Sequence, residues 1–331
     1  MKKMIAIIIS ITMLMSLLTA CGAKEEKTAP ATETVESYKI AIVQQLDHSS
    51  LDEIRTAVAA KLNALAAEQN ITLEIKEFNG QNDTTVLNQI GAEVVGEKYD
   101  LIIPIATNAA LCMVTAAEGT DIPIVYSAIS DPEGAGLVGL PNVTGVSDAL
   151  NTPFILDMML AAQPDIQTVG LLYSNSEPNS VTPIAEAKEY LTSKGIQFVD
   201  KTGNTSGEVL EAATSMVGEV DAVFTPTDNA VMAAEAAVAE VLNNAGIPHY
   251  AGADSFVTSG AFATCGVNYT ELGEKTAEIA LDALLNKNFP DFVVMDGGII
   301  TVNTETAEAV GIDYTVFNTM ANTVIPVTTA E

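Results

Sequence analysis

Residue types that commonly carry catalysis or anion binding are scarce in this sequence. Its 331 residues include no tryptophan, two histidines (His48 and His249) and a single arginine, Arg55. No HExxH, CxxC, P-loop or G-x-S-x-G pattern occurs, so we expect no catalytic residue, no metal site and no cofactor. Because Arg55 falls inside a predicted helix, a binding cleft would lack the guanidinium clamp that suits phosphates and dicarboxylates.

Cysteine and positive charge are also scarce. Cys112 and Cys265 lie far apart among apolar or small neighbours, which favours two buried thiols over a disulfide. The 14 basic and 43 acidic residues give a formal net charge of −29. Such acidity makes nucleic acid a poor partner and is typical of the solvated surface of an exported protein.

The N-terminus has the pattern of an export signal. Lys2 and Lys3 precede an apolar run over residues 4–18 that is too short to span a bilayer, and Leu18-Thr-Ala-Cys21 follows at once. This tetrapeptide resembles a bacterial lipobox, which implies lipidation of Cys21; a secretory signal with an incidental cysteine is the alternative. We predict a signal peptide over residues 1–20, a flexible lipidated tether over residues 21–37, and hence an extracytoplasmic protein anchored to the membrane.

Short β-rich runs alternate with helical stretches from residue 38 onward. A Pro- and Gly-rich stretch over residues 131–142 separates a first βαβαβαβ series from a second series that begins at residue 153. Alternation of this kind predicts an α/β fold with two doubly wound parallel-sheet lobes joined by a hinge.

The C-terminal part breaks the alternation, which suggests that the chain crosses back between the lobes. We expect a helix over residues 272–285 to pack on lobe 1 and two short final strands to pack on lobe 2. Lobe 1 is then residues 38–149 with about 255–288, and lobe 2 is residues 150–254 with about 289–331.

The segment Gly134-Ala-Gly-Leu-Val-Gly139 has the spacing of a dinucleotide fingerprint, but its context argues against that function. It follows Ser130-Asp-Pro132 instead of a strand, and Leu140-Pro-Asn142 prevents the helix whose N-terminus would hold a pyrophosphate. We interpret it as a turn-rich connection.

Small polar residues fill the junctions after six predicted strands, where open α/β sheets bind their ligands. For a single junction, helix N-capping is the alternative function, and Ser50, Thr107, Asn179 and Asp228 all suit it. If the two lobes face each other, however, both sets of junctions converge on one cleft. The junctions are residues 45–50, 106–108, 127–131, 173–180, 225–229 and 253–255.

The chemistry of these junctions favours a zwitterionic ligand. Without arginine, a ligand carboxylate has to be held by N–H groups at helix N-termini and by hydroxyls such as Thr107 and Ser127. Asp47, Asp228 and Asp254 are available for a ligand ammonium group, with helix capping as their alternative function. Four aromatic residues near the predicted rim either stack on the ligand or pack the hinge: Tyr126, Tyr173, Phe256 and Tyr269.

Several of these segments resemble one family, the ABC-transporter substrate-binding lipoproteins with a type I periplasmic-binding-protein fold, which includes tryptophan- and tyrosine-binding members. The resemblance spans nearly all of the chain after the tether and implies two lobes with three crossovers, hinge closure over a ligand, and docking on a membrane permease. The matching segments are Ile42-Val-Gln-Gln-Leu-Asp-His48, Ile122-Pro-Ile-Val-Tyr126 with Asp131-Pro132, Tyr173-Ser-Asn-Ser-Glu-Pro-Asn-Ser180, Thr225-Pro-Thr-Asp-Asn229 and Asn268-Tyr-Thr-Glu-Leu-Gly273. The binding residues implied by the resemblance are Asp47, Thr107, Ser127, Asn175, Glu177, Asn179, Asp228 and Asp254.

We therefore predict a non-enzymatic protein that captures a small solute, an aromatic or branched-chain amino acid, and delivers it to an ABC importer. In this hypothesis Thr107, Ser127 and nearby helix N-termini hold the carboxylate, while Asp228, helped by Asn179 or Asp254, holds the ammonium group. The alternatives are a sugar- or nucleoside-binding protein and a ligand-sensing partner of a membrane receptor. The absence of tryptophan limits aromatic stacking to tyrosine and phenylalanine.

Overall fold

A computed structural model describes residues 36–330 of the chain. The predicted signal peptide, the lipobox with Cys21 and most of the predicted tether lie outside the described residues. Regular structure begins at Ser37, one residue before the expected start of the folded body. In this described part of the chain, no helix combines the length and the apolar character that crossing a membrane requires.

Strands and helices alternate along most of the described chain. In chain order they are β1 (Ser37–Gln44), α1 (Ser49–Gln69), β2 (Thr72–Asn79), α2 (Thr84–Gly96), β3 (Leu101–Ile105), α3 (Thr107–Ala116), β4 (Ile124–Ser127), β5 (Val143–Ser147), α4 (Thr152–Ala162), β6 (Thr168–Tyr173), α5 (Val181–Lys194), β7 (Gln197–Thr202), α6 (Ser206–Met216), β8 (Ala222–Thr225), α7 (Asn229–Met232), α8 (Glu235–Asn244), β9 (His249–Ala251), α9 (Asp254–Thr258), β10 (Ala263–Gly266), α10 (Tyr269–Asn286), β11 (Val293–Val294), β12 (Ile299–Asn303), α11 (Thr304–Val310) and β13 (Thr323–Val327).

These elements form two sheets, one in each lobe. The strand order is β11-β5-β4-β3-β1-β2 in lobe 1 and β13-β12-β10-β9-β8-β6-β7 in lobe 2. Neighbouring strands pair in parallel, apart from the antiparallel pair of β10 and β12. The predicted α/β class with two doubly wound lobes is confirmed.

The apolar sequence of β1 explains why helices cover both faces of the first sheet. Ile40 and Ile42 point into a core formed with α1 and α10. The alternate residues Ala41 and Val43 point into a second core formed with α2 and α3. All four side chains are fully buried, as expected for a parallel strand with helices on both of its faces.

The chain crosses between the sheets three times, as the family resemblance implied. The crossovers lie between β5 and α4, between β10 and α10, and between β11 and β12. Helix α10 packs on lobe 1 as expected, and its Gly273 lies against Ile54 of α1. The carboxyl ends of the strands of each sheet lead into loops that face the other lobe, which places the binding region between the lobes.

The sheets divide the C-terminal part of the chain differently from the expected boundaries. Residues 255–266 belong to lobe 2, since Ala263 and Thr264 of β10 pair with β9. Strand β11 belongs to lobe 1, where Val293 pairs with Val146. Tertiary contacts decide which sheet each strand joins, and the sequence pattern alone does not reveal them.

Several local expectations are met. Cys112 and Cys265 are free, buried thiols, and the glycine-rich segment at 134–139 forms turns instead of a nucleotide-binding loop. The helical segment after β8 is divided into α7 and α8, because the chain turns at Ala233 and Ala234.

Candidate functional site

The two lobes line a cavity of about 30 Å³ at the carboxyl ends of their strands. Lobe 1 contributes His48, Ser50, Leu51, Ala106, Thr107, Ala128 and Ser130; lobe 2 contributes Asn179, Thr227, Asp228, Asn229, Met232, Ala253, Ser255 and Phe256; and the crossovers contribute Asp148 and Tyr269.

Three of the eight predicted binding residues line this cavity: Thr107, Asn179 and Asp228. All three are buried. A fourth, Glu177, is buried beside the cavity and joins the lobes, because its carboxylate accepts hydrogen bonds from Gln45 Nε2 of lobe 1 (2.8 Å) and from Asn229 Nδ2 of lobe 2 (2.7 Å). Burial, and next the nearby Asp228, raise the pKa of Glu177 to about 7.

The other four predicted residues do not contact the cavity. Asp47 and Asn175 are exposed, and Asn175 Nδ2 donates to Thr202. The hydroxyl of Ser127 pairs with Thr276 of α10 at 2.8 Å, and neither residue lines the cavity. Asp254 accepts a hydrogen bond from Ser50 and lines a separate pocket beside the hinge.

The cavity concentrates polar atoms that have no partner. Eight buried side-chain nitrogen or oxygen atoms of the described residues lack a hydrogen bond, and four of them line this cavity: His48 Nδ1, Thr107 Oγ1, Asn179 Oδ1 and Ser255 Oγ. Buried polar groups are nearly always paired in native proteins, because an unpaired group costs about 1–3 kcal/mol. Four such atoms around one cavity indicate a ligand that completes their hydrogen bonds.

The hydrogen-bond network assigns donors and acceptors among these four atoms. Since the amide nitrogen of Asn229 donates to Glu177, its oxygen faces His48 Nε2 at 3.2 Å, which makes Nε2 the donor and Nδ1 an acceptor. Burial lowers the pKa of His48, so its ring is neutral. Asn179 Nδ2 donates to the Thr227 carbonyl, which leaves Asn179 Oδ1 as a second acceptor. The hydroxyls of Thr107 and Ser255 are free to donate.

Thr107 does not cap its helix. The residue before α3 is Ala106, and no side chain caps the helix there. Ala106 adopts φ 75° and ψ 160°, and Ala128, after β4, has φ 55°. Left-handed backbone at non-glycine residues costs on the order of 1–3 kcal/mol, and such residues cluster at functional sites. Both strained alanines line the cavity.

Two carboxylates line the cavity, and they differ in how their oxygens are used. Asp228 caps α7 through Val231 N (3.0 Å) and also accepts from Ser174 N (2.7 Å) and Ser180 Oγ (2.6 Å), all in lobe 2. Asp148, at the first crossover, accepts from Ser130 Oγ at 3.1 Å. Burial raises the pKa of Asp228, and it raises that of Asp148 to about 6.

The remaining walls of the cavity are apolar. Leu51, Met232 and Phe256 line it together with the ring of Tyr269, so two of the four predicted rim aromatics are in place. The other two are elsewhere: Tyr126 is buried in the core of lobe 1, and Tyr173 lies under Lys188 in lobe 2. Such walls suit an apolar or aromatic group of moderate size.

Sequence reasoning missed Asp148, Ser130 and Thr227, and it placed no function on His48 or Ser255. His48, Ser130, Thr227 and Ser255 all occur in the polar junctions that the sequence singled out. Asp148 directly follows the short strand β5 and lies outside the six junctions that the sequence singled out. Its position after the carboxyl end of a strand was nevertheless readable from the sequence.

The charges of the cavity limit its ligands. Over residues 36–330, no lysine or arginine lines it, and no group of three or more His, Cys, Asp or Glu side chains is placed to hold a metal ion. Arg55 instead contacts Gln44 and Glu77 at the surface of lobe 1. A cavity with two carboxylates and no cationic side chain disfavours phosphates and dicarboxylates and accepts a cationic group.

Comparison of this chain with known proteins identifies its family. The model of the ABC transporter substrate binding protein family matches residues 39–318. A tyrosine-binding protein of Clostridioides difficile (strain R20291) is 32% identical over 319 residues, which is 93% of this chain and 92% of that protein.

Solved structures give the same result. A Streptococcus pneumoniae ABC domain in complex with L-Trp has a TM-score of 0.81 at 28% identity, covering 88% of this chain and 100% of that one. The ligand-free, open structure of a Clostridium difficile substrate-binding protein with adhesive properties has a TM-score of 0.66 at 32% identity, with the same coverage. Sugar-binding neighbours, such as one with D-allose at 16% identity, share the fold. The chain therefore belongs to the family of ABC transporter substrate-binding proteins.

Proposed function

We propose that this protein binds an aromatic amino acid in the interlobe cavity and delivers it to the permease of an ABC importer. The observation that carries the proposal is the set of four unpaired polar atoms around a cavity that has apolar walls, two carboxylates and no cationic side chain. A zwitterionic ligand with a bulky side chain supplies hydrogen-bond partners for the four atoms, an ammonium group for the carboxylates and an apolar group for the walls. The relatives that bind tyrosine or L-Trp support the same ligand class.

The two ends of an amino acid match different atoms of the cavity. The free hydroxyls of Thr107 and Ser255 are donors for the ligand carboxylate, together with N–H groups in the first turn of α3. The acceptor Asn179 Oδ1 suits the ammonium group, and His48 Nδ1 accepts a further N–H or O–H of the ligand. Phe256 and Tyr269 supply the aromatic surface for the side chain.

The lobes adopt a closed arrangement around this cavity. Hydrogen bonds join them at Gln45–Glu177 (2.8 Å), Ser130–Thr227 (2.9 Å) and His48–Asn229 (3.2 Å). The TM-score is higher with the L-Trp complex than with the open, ligand-free structure, although sequence identity is lower with the complex. Hinge closure over the ligand is thus part of the proposal, and closure supplies the contacts that distinguish one ligand from another.

The proposal extends to the location of the protein. Export through the signal over residues 1–20, followed by lipidation of Cys21, holds the binding unit outside the cell membrane within reach of a permease. Binding and release of an unchanged ligand require no catalytic group, so we propose that the protein is not an enzyme.

A thermal-shift screen tests the ligand class. The sample is a chain that starts at Glu36, where the compact unit begins, screened against the twenty amino acids, with D-allose, glucose and nucleosides as the competing classes. A ligand that binds the folded state raises the melting temperature. We expect the largest rise with tyrosine or tryptophan; a rise confined to sugars or nucleosides contradicts the proposal.

A further inference from the structure

Asp148 lies where ligand binding and hinge motion meet. It directly follows β5, at the first of the three crossovers, and only 6% of it is exposed. Its carboxylate lines the interlobe cavity, and no lysine or arginine of the described residues lines that cavity with it. A buried carboxylate without a counter-charge is costly, because burial removes the water that stabilises its charge.

The hydrogen bonds around Asp148 leave room for another donor. Ser130 Oγ donates to Asp148 Oδ1 at 3.1 Å, and the Tyr269 hydroxyl lies beside the carboxylate. A carboxylate has about four lone-pair positions in two oxygens, so the acceptor capacity of Asp148 is not exhausted. Burial raises its pKa to about 6, which reflects the cost of the negative charge before a cation arrives.

Asp228 is less suited to receive a ligand cation. Its two oxygens already accept from two backbone N–H groups and one hydroxyl of lobe 2, at 2.6–3.0 Å. These bonds cap α7 and tie the loops after β6 and β8 together. Because three donors of lobe 2 already occupy its oxygens, an ammonium group gains less at Asp228 than at Asp148.

We infer that Asp148 is the residue that binds the ammonium group of the captured amino acid, with Asn179 Oδ1 as a second acceptor. This inference rests on the proposed function and replaces Asp228 in the role that the sequence suggested. It also makes Asp148 a determinant of selectivity for amino acids. A ligand of the same shape without the ammonium group leaves the charge of Asp148 without a counter-charge in the closed cavity.

The same carboxylate connects the ligand to lobe closure. Since Ser130 donates to Asp148, the Ser130–Thr227 contact at 2.9 Å has Thr227 as its donor, so a chain of hydroxyls runs from lobe 2 to Asp148. An ammonium group keeps Asp148 ionised, and an ionised acceptor strengthens both hydrogen bonds of the chain. Ligand charge therefore favours the closed arrangement.

A comparison of two ligands and two matched variants tests the inference. The ligands are L-tyrosine and its desamino analogue, which lacks only the ammonium group, titrated by calorimetry into the wild-type protein, Asp148→Asn and Asp228→Asn. We expect the wild type to bind tyrosine with an affinity about tenfold or more higher than that for the desamino analogue. Asp148→Asn should reduce that preference to about threefold or less. Thermal melting verifies that each variant is folded.

The possible outcomes separate the inference from the proposed function. If Asp148→Asn keeps the wild-type preference, or if the preference collapses in Asp228→Asn instead, the role of Asp148 is wrong while amino-acid binding stands. If the wild type binds neither ligand and no other amino acid, the proposed function fails and the inference fails with it. Asp228→Asn is expected to lower the melting temperature and to retain the preference.

Discussion

Several polar side chains that line the cavity are placed to bind a ligand and do not stabilise the fold through hydrogen bonds. Thr107, Asn179 and Ser255 are each at most 4% exposed, and each has a polar atom without a partner. In the closed arrangement these atoms are shielded from water and have no partner within the protein. Removal of such a group is therefore expected to affect binding and stability in different directions.

Thr107→Val tests this expectation, because valine keeps the shape of threonine and removes the hydroxyl. Since that hydroxyl has no partner within the protein, the variant should be as stable as the wild type or slightly more stable. Its affinity for the amino acid should fall by about tenfold or more, because the ligand carboxylate loses a donor. Thermal melting and calorimetric titration measure the two effects.

Thr276→Val is the matched control for that substitution. The Thr276 hydroxyl is also buried, but it donates to the Leu272 carbonyl (2.9 Å) and pairs with Ser127 (2.8 Å), away from the cavity. Its removal should cost about 1 kcal/mol of unfolding free energy and leave ligand affinity unchanged. Unchanged affinity in Thr107→Val, or a loss of equal size in both variants, would contradict the binding role of Thr107.

The sequence predicted the place of the site better than its residues. Thr107, Asn179 and Asp228 line the cavity because polar residues after parallel strands converge there. Ser127 does not, since successive side chains of a strand point to opposite faces and its hydroxyl points to α10. How many hydrogen bonds each carboxylate accepts within its own lobe depends on contacts between distant segments, so the difference between Asp228 and Asp148 was not readable from the sequence.

At the scale of elements, the close packing of α10 on α1 fixes the returning chain to lobe 1. A Cβ atom on Gly273 would lie 2.7 Å from Ala57 Cβ and 2.8 Å from the Ile54 carbonyl oxygen. Real Cβ atoms do not approach backbone so closely, so glycine at this position lets the two helices meet. The position of α10 also sets Tyr269 at its first turn, where it lines the cavity.

Gly273→Ala should therefore destabilise the protein despite the better helix propensity of alanine. Pushing α10 away from α1 is an overpacking change, for which about 1–3 kcal/mol is typical. Gly96→Ala is the control: Gly96 ends α2, and a Cβ atom added there would meet no other atom within 4 Å, so alanine should be neutral or stabilising. Denaturant unfolding measures both, and equal stability of the two variants would contradict the packing account.

Elements with strong periodicity were predictable, whereas sheet membership near the crossovers was not. The alternation from β1 to β9 follows directly from apolar runs and helical patterns in the sequence. Strand β11 has two residues, and β13 lies in a tail whose residues are mostly exposed, so neither has a clear pattern. The edge that each strand joins is decided by tertiary contacts such as Val293 with Val146.

At the scale of the whole molecule, buried carboxyl groups make stability depend on pH. Burial raises the pKa of Asp148 from 3.8 to about 6 and, together with Asp228, that of Glu177 from 4.5 to about 7. Such groups hold their protons more tightly in the folded chain. Their contribution to stability is complete below the unfolded pKa and is lost as the pH rises through the folded pKa.

We expect the melting temperature of the protein to fall as the pH rises from about 4.5 to about 7. Each group contributes at most about 1.4 kcal/mol per pH unit to this slope. Glu177→Gln removes one titration and should flatten the curve, most clearly near its upper end. A melting temperature that rises across this range, or a slope unaffected by Glu177→Gln, would show that these carboxyl groups are ionised in the folded protein.

The central claim is that the closed cavity holds an amino acid, and calorimetric titration of L-tyrosine into the chain that starts at Glu36 tests it most directly. The account predicts saturable binding of one ligand per chain, with a Kd on the order of micromolar or tighter and a negative heat-capacity change from burial of the aromatic ring. L-tryptophan should compete for the same site. Saturable binding of D-allose or a nucleoside, with no response to any amino acid, would contradict the account.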